Sequence, residues 1–110
     1  MKHITLSNFE EEVKLSKLPV VLDFYASWCG PCQMMGPIFE KISKVYDKKI
    51  NFAKVDTQDD EGLSFEFGVQ GIPTLVFISE GKEIMRVVGY LNENSLKEKL
   101  EEFLKKLKKK

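Results

Sequence analysis

Histidine occurs once in this 110-residue chain and cysteine twice, and that scarcity excludes a good deal. A structural zinc site takes four ligands, whereas this chain offers two cysteines, Cys29 and Cys32, and one distant histidine, His3, so no metal is expected unless two chains share one. No apolar stretch approaches the roughly 20 residues needed to cross a bilayer. The opening segment Met1–Ser7 runs into Glu10-Glu11-Glu12 without the apolar core of a signal peptide. Net charge is also missing: seventeen basic residues balance seventeen acidic ones, so composition gives no general attraction to nucleic acid or to an anionic membrane. These absences lead to the expectation of a cytoplasmic protein, in a compartment where a cysteine pair serves catalysis, redox sensing or metal binding more often than permanent crosslinking.

What is present organises as one α/β domain over residues 1–110, ending in the basic tail 105–110 with its five lysines. The tail reads as solubilising and helix-ending, since cations complement a helix C-terminus. Ile4–Leu6 is a short β candidate. Ser7 and Glu10 then fit a capping box that opens a helix to about Leu15. Val20–Tyr25 is too continuously apolar for an exposed strand and reads as the core strand, covered on both faces. After Cys32, the apolar spacing of Met35, Ile38, Phe39, Ile42, Val45 and Tyr46 predicts a long amphipathic helix with a kink at Pro37. A strand over Ile50–Val55, a short helix over Glu61–Phe67, a hairpin of Thr74–Ile78 with Ile84–Val88, and a last helix from near Asn92 complete the pattern. That order makes a mixed sheet with helices on both faces. Phe9, Phe24, Phe39, Phe65, Phe67, Phe77 and the pair Met34-Met35 are assigned to the core or to gap filling.

Both cysteines lie in Trp28-Cys29-Gly30-Pro31-Cys32, between the core strand and the long helix. The unpaired N–H groups of a helix N-terminus favour a thiolate over a thiol, so the placement points to thiol–disulfide exchange. Pro31 suits the first turn, where its missing N–H is no loss. Cys29, ahead of the helix, is then the exposed nucleophile, and Cys32, a turn later, the shielded resolving thiol. Asp23 is the second anomaly, a carboxylate within a run that otherwise reads as buried. An unpaired buried charge is expensive, so the group takes a raised pKa or a partner, and its functional reading is proton transfer with Cys32. Lys54 lies beside Asp23 if their strands are neighbours; it reads equally well as an ordinary surface lysine. Trp28 is placed to cover the disulfide and to give a protein partner an apolar contact. Ile72-Pro73-Thr74 marks a tight turn whose backbone suits pairing with an extended substrate, and the sequence leaves its peptide isomer open. Gly89 leaves room for another chain to approach.

Four separated signatures, Asp23-Phe24-Tyr25-Ala26, the Trp28–Cys32 loop, Pro37 and Gly71-Ile72-Pro73-Thr74-Leu75, together resemble the thioredoxin family over essentially the whole chain. The resemblance implies the thioredoxin fold, a central mixed five-stranded sheet with helices on both faces. It implies a general protein-disulfide reductase, an electron carrier of cell redox homeostasis that needs no cofactor. Such a protein is monomeric, acts on disulfide-containing proteins, and is itself reduced by a thioredoxin reductase or a small dithiol. By the same resemblance Cys29 attacks, Cys32 resolves and Asp23 with Lys54 moves the proton. Pro73 would be cis and face the cysteines, and Trp28, Gly30, Pro31, Ile72, Pro73 and Gly89 would form the docking surface. Two readings on the same fold compete, a non-catalytic binding module and a disulfide oxidase or isomerase. Gly30-Pro31, with no histidine between the cysteines, argues against the oxidase. Many relatives carry basic residues where this chain has Gln33 and Gln70, so its thiolate should be stabilised less and its partners should differ.

Overall fold

The computed structural model describes residues 1–109. Five strands form one sheet: β1 (Lys2–His3), β2 (Val20–Tyr25), β3 (Asn51–Asp56), β4 (Thr74–Ser79) and β5 (Lys82–Val88), in the order β1-β3-β2-β4-β5. β1, β3 and β2 run parallel, while β4 pairs antiparallel with both β2 and β5. The unbroken apolar run of β2 thus sits at the centre of a mixed sheet, where both its faces need covering.

Two layers supply the cover. On one face α1 (Gly30–Val45) and α3 (Glu93–Lys108) bring Met35, Phe39, Ile42, Leu96, Leu100 and Phe103 onto Val21, Leu75 and Phe77. On the other, α2 (Glu61–Glu66) and the segment around Val13 place Leu63 and Val13 over Val20, Leu22, Phe24, Val55 and Val76. The period-2 alternation of β2 divides its side chains between these layers, so Asp23 falls on the α1 side with Val21. Side chains fully buried in this way each contribute roughly 1.5–3 kcal/mol.

The N-terminal region departs from its expected form. β1 is Lys2–His3 rather than Ile4–Leu6, because the backbone turns immediately afterwards: Asn8 accepts from Thr5 N at 2.8 Å, and Asp60 accepts from Leu6 N at 2.7 Å. Ser7 caps no helix, since its hydroxyl pairs with that of Thr5. The following segment, Glu10–Lys14, is a single π-helical stretch closed by Leu15 N to Glu10 O at 2.9 Å. α1 runs on across Pro37 as one sixteen-residue element. The β4–β5 hairpin turns on Glu80 and Gly81, both at positive φ, 52° and 78°, which matches the twist of the strands it joins. Ile84 is accommodated by a register shift opposite Phe77/Ile78. Lys105, Lys106 and Lys108 belong to the last turn of α3, and Lys110 lies outside the described residues. Two residues assigned to the core are at the surface: Phe65, 87% exposed on the outer side of α2, and Met34, which the apolar stripe of α1 leaves outside.

Candidate active site

Antiparallel pairing brings three loops to one end of the sheet. Phe24 at the C-terminal end of β2 faces Thr74 at the start of β4, and Thr74 in turn faces Val88 at the end of β5. The cysteine loop, the Gly71–Pro73 turn and the Gly89 turn therefore meet. Gly89, at φ 104°, donates its N–H to the carbonyl of Pro73 at 2.7 Å. The Ile72–Pro73 peptide bond is cis, and the Ile72 carbonyl oxygen lies 3.9 Å from Cys29 Sγ.

Cys29 and Cys32 form a disulfide across a Cα separation of 5.2 Å. Cys29 is the N-cap of α1, its extended backbone leading into Gly30 and Pro31, and its Sγ accepts from Cys32 N at 3.2 Å. A reduced Cys29 in this place faces the N–H group and the positive end of a sixteen-residue helix. The Gln33 side chain ties the same turn back to the loop by donating to the Ser27 carbonyl.

The expected contrast in exposure between the cysteines is absent. Both are 5% exposed and form one buried cluster with Ala26. Trp28 is 67% exposed, and Tyr25 and Ile72 pack against the cluster of Ala26, Cys29 and Cys32. Gly30 and Pro31 are exposed beside it and Gly89 is half-buried, whereas Pro73 is buried.

Asp23 lies one strand layer below, 1% exposed, with its Oδ1 lacking any hydrogen-bond partner among the described residues. Burial pushes its carboxyl up from the ordinary 3.8 to about 7, and the positive charge of Lys54 draws it back only in part. Lys54 is the register partner of Asp23 on β3. Among the described residues the two form no ion pair; the Lys54 ammonium instead sits 4.4 Å from the centroid of the Tyr25 ring. An open groove of about 380 Å³ is lined by Tyr25, Cys32, Gln33, Pro37, Glu40 and Lys54, so solvent reaches the neighbourhood of both Cys32 and the amine.

Sequence reasoning missed four members of this region. Met34, on α1 with Cys32, and Val88 and Tyr90, which flank Gly89 in the chain, are exposed apolar residues. Tyr25 holds the lysine. The first is legible as the position outside the α1 stripe and the next two as neighbours of Gly89; the lysine contact carries no sequence signal.

A family model described as Thioredoxin matches residues 1–102. A thioredoxin of Borreliella burgdorferi is 45% identical over 85 residues, 77% of this chain and 73% of that one. Thioredoxin 1 of a Nostoc species is 38% identical over 101 residues, covering 92% and 94% of the two chains. A thioredoxin of Mycoplasmoides gallisepticum is 42% identical over 101 residues, 91% and 99%. With likeness running nearly end to end and the disulfide seated where the three loops converge, this chain belongs to the thioredoxin family of protein-disulfide oxidoreductases and serves as a thiol–disulfide reductase.

Proposed function

We propose that Cys29 is the nucleophile, Cys32 the resolving thiol and Asp23 the proton carrier of a general protein-disulfide reductase. The observation that carries this reading is the disulfide at the α1 N-terminus together with the buried Asp23 carboxyl, which lacks a hydrogen-bond partner at Oδ1 among the described residues and titrates near 7. The Cys29 thiolate attacks one sulfur of a target disulfide, forming a mixed disulfide and releasing the other target sulfur as a thiolate. Cys32, losing its proton to Asp23, attacks Cys29 Sγ; the second target sulfur leaves, and the Cys29–Cys32 bond closes. Two electrons pass to the target. A carboxyl titrating near 7 both accepts and returns a proton at neutral pH. Lys54 acts on it through its charge.

Trp28, Gly30, Pro31, Ile72, Pro73 and Gly89 form the docking face, extended by Met34, Val88 and Tyr90. The segments that build it, residues 27–39, 67–79 and 87–92, contain no charged residue in a chain that is 31% charged. Substrates are therefore selected by apolar contact around their disulfide, with little electrostatic steering. A thioredoxin reductase restores the dithiol, and the protein works as a cytoplasmic monomer whose single domain spans residues 1–110. Among the described residues, no helix is long and apolar enough to cross a membrane.

The test is single-turnover reduction of a peptide disulfide, followed by intact mass. Cys29→Ser abolishes turnover, and Cys32→Ser accumulates an adduct heavier by one target peptide. Turnover surviving Cys29→Ser would sink the assignment.

A further inference from the structure

Lys54 and Asp23 are cross-strand neighbours of opposite sign on the same face of the sheet, yet they do not pair. Asp23 Oδ1 is buried with no hydrogen-bond partner among the described residues, and the amine of its register neighbour lies over an aromatic ring instead. A lysine stem has four rotatable bonds, so the strand register alone does not hold its ammonium away from the carboxylate. The ring does: Tyr25, two residues beyond Asp23 on the same strand and face, presents its π surface to Nζ at 4.4 Å. That ring packs against the cluster of Ala26, Cys29 and Cys32, and its centroid lies 6.4 Å from that of the His3 ring.

We propose that Tyr25 is a positioning residue for the reductase reaction, which clamps the Lys54 ammonium beside Asp23 but out of its reach, so that the carboxyl stays free to exchange a proton with Cys32. The inference rests on the reading of Asp23 as the proton carrier. Paired directly with an ammonium, a buried carboxylate gives up its proton at lower pH and is a weaker base for a thiol at pH 7. Left with no cation nearby, it would hold the proton too firmly. The clamp keeps the cation at an intermediate distance.

The surroundings contain the other groups able to act on this arrangement. From β4, Asp23 faces Leu75, which is apolar. From α1, Cys32 and Glu40 line the groove that Lys54 and Tyr25 also line. From β1, His3 is the other register partner of Lys54. Burial, with the charges of Asp56, Asp59 and Asp23, raises the pKa of the Tyr25 phenol above its ordinary value. None of these replaces the ring as the seat of the ammonium.

The experiment is a carbon-13 NMR titration of the Asp23 carboxyl in the oxidised protein, which needs no turnover. In the wild type the midpoint lies near neutrality. Tyr25→Leu frees the amine to pair and lowers the midpoint by about one pH unit. Tyr25→Phe keeps the ring and leaves it unchanged, and Lys54→Met added to Tyr25→Leu removes the drop. A midpoint unmoved in Tyr25→Leu, or moved as far in Tyr25→Phe, overturns the clamp while leaving Asp23 as proton carrier. A wild-type midpoint near 4 overturns the proton-carrier reading itself. Should Tyr25→Leu fail to fold, the wild type still decides: the Lys54 methylene protons next to the amine must show an upfield ring-current shift, and their absence from that position refutes the clamp.

Discussion

Replacing Asp23 with asparagine should change the pH dependence of stability in a direction opposite to that of ordinary paired carboxylates. In the folded chain burial raises this carboxyl from 3.8 to about 7, and the unfolded chain restores it to the ordinary value. Between those limits the native state holds a proton that the unfolded state has released. Stability therefore falls as pH rises from about 3.8 to about 7, and the full penalty persists above 7. At about 1.36 kcal/mol per pH unit, the gap amounts to about 4 kcal/mol, and the residue is only 1% exposed, so little of it is lost to solvent screening. Asparagine cannot ionise. Urea unfolding of the two oxidised proteins at a series of pH values isolates the effect, since every other group is shared and cancels in the difference. Relative to the wild type, Asp23→Asn should gain about 4 kcal/mol between pH 4 and pH 8, mostly between about 5 and 7. Absolute levels are set aside because an amide in the same place still lacks hydrogen bonds. A difference that stays constant within about 0.5 kcal/mol across that range would show that the carboxyl is not buried unpaired, and the account of proton transfer would fail with it.

Two further expectations follow from other parts of the molecule. Gly81→Ala places a side chain at φ 78° in the hairpin turn, where the nearest atoms are at ordinary contact distance, so the cost is conformational alone. Thermal or urea unfolding should show a loss of about 1 kcal/mol with the reduction rate unchanged; a neutral result would refute the turn geometry. Because the proposed docking face is built from charge-free segments, kcat/KM for an uncharged peptide disulfide should vary by less than about twofold between low and high salt. A steep salt dependence would mean that charges outside that face guide docking.

How far the sequence spoke for the fold depended on whether one residue's neighbours in the chain decided its position. Cys29 and Cys32 were legible because a strand, a Gly-Pro turn and a helical stripe follow one another within a few residues, and local rules govern each. β2 was legible from its unbroken apolar run, and α3 from the stripe Leu96, Leu100 and Phe103, all fully buried. The N-terminal capping box failed because Ser7 had a competing partner, the hydroxyl of Thr5, while Asp60, distant in sequence, took the N–H of Leu6. Ile4 was rightly apolar, for it is buried, but apolarity did not say that the strand had already ended. Phe65 illustrates the same limit from the other side: on a helix of six residues an aromatic can point outward, and periodicity over so short a span does not choose a face.

The active site divides along that line as well. Its nucleophilic half is encoded locally, in one loop and one helix N-terminus. The proposed proton-transfer half depends on register: β3 must lie parallel beside β2 for Lys54 to neighbour Asp23, and nothing near either residue in the chain specifies that offset. Register is enforced by the apolar positions around the pair, since Ala53 and Val55 are buried on one face while Phe52 and Lys54 turn to the other. A slip by one residue would bury the ammonium under α2 and expose Val55 toward α1. The hydrophobic pattern that stabilises the sheet thus also keeps the cation next to the carboxyl. On the proposed reading, removing the energetic penalty of an unpaired Asp23 makes the protein more stable and less able to resolve its mixed disulfides.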